Sequence, residues 1–74
     1  MRGLRVYIIV GEAMIFYSQR DSGPYYRWQF TEDAKRWHCS RVHPNELDHK
    51  ELSFVIQKLL PKTLCQTLDN HYLD

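Results

Sequence analysis

Two cysteines, three glycines and three prolines are spread through 74 residues, and each scarcity removes a class of protein. Cys39 and Cys65 are too few for a disulfide framework, and they are expected to be reduced and buried. Gly3, Gly11 and Gly23 stand alone in turn-like contexts, so no glycine-rich phosphate loop is present. Long apolar runs are missing too. The stretch that ends at Val10 is stopped by Gly11 and Glu12 far below the length of a membrane span, and no small-residue cleavage site follows. Ten basic residues against nine acidic give a net charge of +1, which supplies no general field for nucleic acid or a membrane. These absences lead us to expect a cytoplasmic chain without export signal, membrane contact, cofactor or small-molecule substrate.

What is present is enough apolar material for a fold. A hydrophobic fraction of 43% is ordinary for a globular protein and too high for disorder. The length gives one small domain, residues 1–74, of a size that buries only roughly 60% of its unfolded surface. Modest stability follows, or help from a partner.

The stretch Tyr25 to Val42, YYRWQF then TEDAKR then WHCSRV, organises the rest. Side chains alternate across a strand, so Tyr26, Trp28 and Phe30 share the core face while Tyr25, Arg27 and Gln29 share the wet one. Pairing Phe30 with Trp37 sets Trp28 opposite Cys39, and Arg27 and Gln29 opposite Ser40 and His38. A shift of one residue would put the apolar sets of the two strands on opposite faces. Upstream, Leu4 to Val10 and Ala13 to Tyr17 are rich in β-branched and aromatic residues, with Gly11 and Glu12 between them. That spacing predicts a two-residue type II′ hairpin pairing Val10 with Ala13. Val6, Ile8, Ile15 and Tyr17 would then share one face, and Tyr7, Ile9, Met14 and Phe16 the other. Both faces are apolar, so the second one asks for a cover.

After Val42 the period changes. Asp48 with Glu51 three residues on forms a capping box, Leu47 and Leu52 a staple, and Leu52, Val55, Ile56, Leu59 and Leu60 follow at helical spacing. Phe54 points away from that stripe. Pro61 breaks the pattern, and Leu64, Cys65, Leu68 and Tyr72 form a second stripe about 160° round from the first at 100° per residue. One straight helix cannot bury both. The expected fold is therefore α+β: a four-stranded antiparallel meander with strands near 4–10, 13–18, 25–30 and 36–42, then helices near 49–60 and 61–73 packed on the face of Trp28, Phe30 and Trp37.

No constellation in the chain carries chemistry at a usable spacing. His38 and Cys39 are adjacent on a strand and point to opposite faces, so they do not ligate one metal ion, and His43, His49 and His71 fit no ligand pattern. Cys39 and Cys65 are placed to pack, not to act as nucleophiles beside a base. Asp21 and Ser22 belong to a turn, and helix capping accounts for Glu46, Asp48 and Glu51. An enzyme is not expected.

Two binding readings remain. The first is a non-enzymatic interaction module that self-associates or docks on a protein through Tyr7, Ile9, Met14 and Phe16, with Arg5 and Arg27 on the rim, since exposed apolar patches on small proteins mark interfaces. The alternative is a single-stranded nucleic-acid binder using Arg20, Arg27, Arg41 and Tyr25, by phosphate contact and base stacking. The near-neutral charge favours the first.

Overall fold

The computed structural model describes residues 3–12, 14–47 and 51–73. Five strands, β1 (Leu4–Ile9), β2 (Ile15–Arg20), β3 (Tyr25–Thr31), β4 (Arg36–Val42) and β5 (Leu52–Phe54), form one antiparallel sheet in the order β4-β3-β2-β1-β5. One α-helix, α1 (Lys62–His71), follows among the described residues. The protein is thus mostly β with a helix at its C-terminal side.

The second hairpin has the register its pattern predicts: Trp28 pairs with Cys39, Phe30 with Trp37, and Arg27 and Gln29 with Ser40 and His38. Its turn, residues 32–35, closes with Lys35 at φ 50°, and the Thr31 hydroxyl donates to the carbonyl of Arg36 over 3.0 Å.

The first hairpin is shifted by one residue from the expected pairing. Tyr7 pairs with Tyr17 and Ile8 with Phe16. The reason lies in the turn: the Glu12 N–H donates to the Ile9 carbonyl over 3.0 Å, with Gly11 at φ 91° in the third position of the four. That is the place where a type II turn demands glycine; a type II′ turn demands it one position earlier. The strands accordingly stop at Ile9 and resume at Ile15. With a side-chain period of two, one step of slip exchanges the faces of a whole strand. Phe16 now joins Val6 and Trp28 in one buried cluster, while Tyr17 joins Tyr7 and Ile9 on the other side.

The helix expected over 49–60 does not form. Residues 48–50, where its cap would fall, lie outside the described residues, and Leu52–Phe54 is instead an edge strand on β1. The pairing is extended by the Val10 N–H to the Glu51 carbonyl, 3.3 Å, and by the Val55 N–H to the Val6 carbonyl, 2.9 Å. Pairing along β1 satisfies its otherwise open backbone groups, and the alternation of Leu52 and Phe54 against Ser53 and Val55 suits a sheet with two apolar faces. Tertiary pairing has overridden a weak local period. Gln57–Leu59 is a 3-10 turn, and Pro61 caps α1, one residue before its first turn.

Because each neighbouring pair is antiparallel, β4 and β5 point the same way from opposite edges of the sheet. The chain between them must therefore cross a face. It does so through the 3-10 turn Pro44–Glu46 and Leu47, which forms a buried cluster with Tyr17 and Val42 against which Tyr7, Ile9, Ile15, Tyr25 and Leu52 pack. After β5 the chain returns over the opposite side, where Leu60, Leu64 and Leu68 close on Val6, Phe16, Trp28 and Trp37. Leu64 and Leu68 are fully buried at 0% exposure, each contributing about 2 kcal/mol of apolar transfer. Both faces of the first hairpin are apolar because the chain closes over one of them and partly over the other.

Candidate interaction site

The helix-covered face is tied down by polar contacts as well as packing. Ser18, at 0% exposure, lies in the middle of β2 among aromatic rings. The Trp28 Nε1–H donates to its Oγ over 2.7 Å, and the same Oγ lies 2.8 Å from the Tyr72 hydroxyl. The Arg20 guanidinium donates to the Tyr72 carbonyl over 3.0 Å, and the Trp37 Nε1–H to Thr63 Oγ1 over 3.0 Å. His71 sets its ring edge-on to Trp28 at 5.1 Å and to Tyr26 at 5.2 Å. The Trp28–Ser18 bond ties β3 to β2, and the other links join the helical segment to the sheet, so this face is an interior. Burial pushes the Tyr72 hydroxyl above its ordinary pKa, against the lowering effect of its bond to Ser18. Burial also pushes the Cys39 thiol up. Cys39 and Cys65 are free and half-buried, not fully buried as expected.

The other face is only partly covered. Strand registers place Phe54, Tyr7, Tyr17, Arg27 and Ser40 in one row across all five strands. Leu47 shields Tyr17 in the middle. On the β5 side the row stays open: the Tyr7 ring lies edge-on to Phe54 at 6.1 Å and tilted against Tyr25 at 6.2 Å. Phe54 is 60% exposed, and Ile56 beyond it is also exposed. Arg5 is exposed on the same side of β1, and Arg27 is half-buried with its guanidinium on Gln29 Oε1 at 3.0 Å.

The residues expected at an interface are divided. Tyr7, Ile9, Arg5 and Arg27 share the partly open face, whereas Phe16, 5% exposed, lies in the helix-covered core. Met14 sits in the turn before β2, exposed and outside both buried clusters. The alternative nucleic-acid set is divided as well. Tyr25 and Arg27 belong to the partly open face, while Arg20 reaches Tyr72 and Arg41 pairs with Tyr26 on the helix side.

Phe54 is the site residue that the sequence concealed. Its departure from the helical stripe was the available signal: a residue out of phase with a helix can be in phase with a strand. Among the described residues no three His, Cys, Asp or Glu side chains gather as a metal-ligand group, and no helix is long and apolar enough to cross a membrane. No protein-family model, curated protein or solved structure matches the chain.

Proposed function

We propose that this chain is a small non-enzymatic protein-interaction module that self-associates through the open corner of the sheet around Tyr7, Tyr25 and Phe54, with Ile9 alongside on the same face and Arg5 and Arg27 at the rim. The observation that carries this reading is the contiguous aromatic row, with Phe54 standing 60% exposed at its end and Ile56 beside it. Aromatic residues with arginine at the margin are the composition of interface centres. Covering an exposed phenylalanine contributes about 2 kcal/mol, against which the lost freedom of the two associating chains must be set. The nucleic-acid alternative has weaker support, because its four residues stand on two sides of the sheet.

Sedimentation velocity across the micromolar range tests the proposal. The expected result is a concentration-dependent dimer that Phe54→Glu returns to monomer, with the circular dichroism spectrum unchanged. A chain that stays monomeric at every concentration, or a folded Phe54→Glu variant that sediments like the parent, overturns it.

A further inference from the structure

The opposite edge of the sheet carries a separate surface. β4 is seven residues long, pairs with β3 in an unbroken register from Arg36 to Val42, and has no strand on its outer side among the described residues. Its outward backbone N–H and C=O groups are a template for one more strand. Most edges of this kind are short or bulged; this one is regular, and its protection is charge. From Ala34 to His43 the sequence AKRWHCSRVH contains Lys35, Arg36, Arg41 and two histidines and no acidic residue. Arg36, His38, Ser40 and Arg41 are all exposed. Glu32 and Asp33 lie in the turn before this stretch and Glu46 beyond it, outside the strand itself.

A second copy of β4 would meet like charge with like charge, so the occupant that fits is not this chain. We propose that the β4 edge binds an extended acidic peptide, which adds to the sheet as a sixth strand. Backbone hydrogen bonds supply the attachment and alternating side chains the selection. The alternation fixes which acids are read. Trp37, Cys39 and Arg41 fall on one side of β4, Arg36, His38 and Ser40 on the other, so the two arginines, five positions apart, face opposite sides of the sheet. The matching peptide carries acidic residues five positions apart, one for each face. Two acids four apart would both lie on one face and reach a single arginine.

The probe is a fluorescein-labelled, end-blocked octapeptide of Thr and Val with Glu at its second and seventh positions, read by anisotropy against the intact chain at low salt. Hydrogen exchange of the β4 amides is followed in parallel. Binding should slow exchange at alternate β4 amides and weaken at least tenfold when alternate peptide nitrogens are methylated. A similar loss is expected when the second Glu moves to the sixth position. Arg41→Glu should weaken binding at least tenfold, and replacing the Glu that faces it by Lys should restore it. Equal binding of the N-methylated or re-spaced peptide overturns the proposal, as does tighter binding of an oligothymidine of matched charge, which would make the edge a general polyanion surface. Because β4 and β5 lie at opposite edges, loss of dimerisation in Phe54→Glu leaves this result untouched.

Discussion

The indole Nε1–H of Trp28 donates to Oγ of Ser18 across 2.7 Å, in a position where neither group reaches water. The same oxygen meets the Tyr72 hydroxyl, so one small side chain answers two larger ones. Ser18→Ala leaves an indole N–H and a phenol without a partner, at a cost of about 2 kcal/mol. Thermal denaturation should fall by on the order of 10 °C for a chain of this size. Adding Trp28→Phe to Ser18→Ala should cost less than the sum of the two single changes, because the polar penalty is already present.

Leu68 and Leu64 hold α1 on the sheet with no exposed surface. Leu68→Ala removes three carbons from that contact and should destabilise the fold by about 3 kcal/mol. In a small domain this is a large share of the total, and urea unfolding should show a much lower midpoint. Leu73→Ala, at an exposed site, should change stability by no more than about 0.5 kcal/mol.

Gly11 at φ 91° has open space where a Cβ would stand. Gly11→Ala therefore tests backbone conformation without a clash, and should cost about 1 kcal/mol. Gly3 differs. It also has positive φ, 77°, but a Cβ there would run into the carboxylate of Asp21. That carboxylate ends an exposed side chain and can swing aside, so Gly3→Ala should also cost about 1 kcal/mol through its backbone conformation, and Asp21→Ala should leave that cost unchanged in chemical denaturation.

Tyr72 titrates above the ordinary tyrosine range because burial disfavours the phenolate, with Cys39 and Tyr26 acting in the same direction and the Ser18 bond and Arg20 in the other. A raised folded-state pKa means that the neutral phenol contributes stability fully below the unfolded value near 10, and that this contribution is lost as pH rises through the folded value. Stability measured from neutral into alkaline pH should fall above about pH 10. Tyr72→Phe should be less stable at neutral pH and show a smaller alkaline loss. Parallel curves for the two proteins would mean that Tyr72 is not the group responsible.

How far the sequence discloses this fold depends on which force decided each element. The hairpin of β3 and β4 was readable because only one register puts Trp28, Phe30 and Trp37 on a common side; the penalty for slipping is large. The stripe Leu64, Cys65, Leu68, Tyr72 was readable for a similar reason, and it is the face that α1 buries. The hairpin of β1 and β2 has apolar residues on both sides, so its pattern hardly penalises a slip, and the register fell to the turn. There Gly11 satisfies either of two turn types at adjacent positions. Leu52 to Leu60 misled for a different reason: its helical period was real, but an unpaired edge on β1 some forty residues earlier was the stronger attraction. Phe16 lies in the interior, Met14 in a turn and Phe54 beside Tyr7, so the contact proposed from the structure differs in its members from the one the sequence suggested.

The crossing of the chain from β4 to β5 has a consequence for the protein as it is made. Residues 4–42 leave the ribosome first and can pair as a ribbon, yet Leu47, β5 and α1, which shield its two sides, follow only with residues 47–71. At synthesis rates of roughly 5–20 residues per second, the ribbon waits on the order of seconds with Trp28, Phe16 and Tyr17 uncovered. Covering of the ribbon therefore waits for residues 47–71.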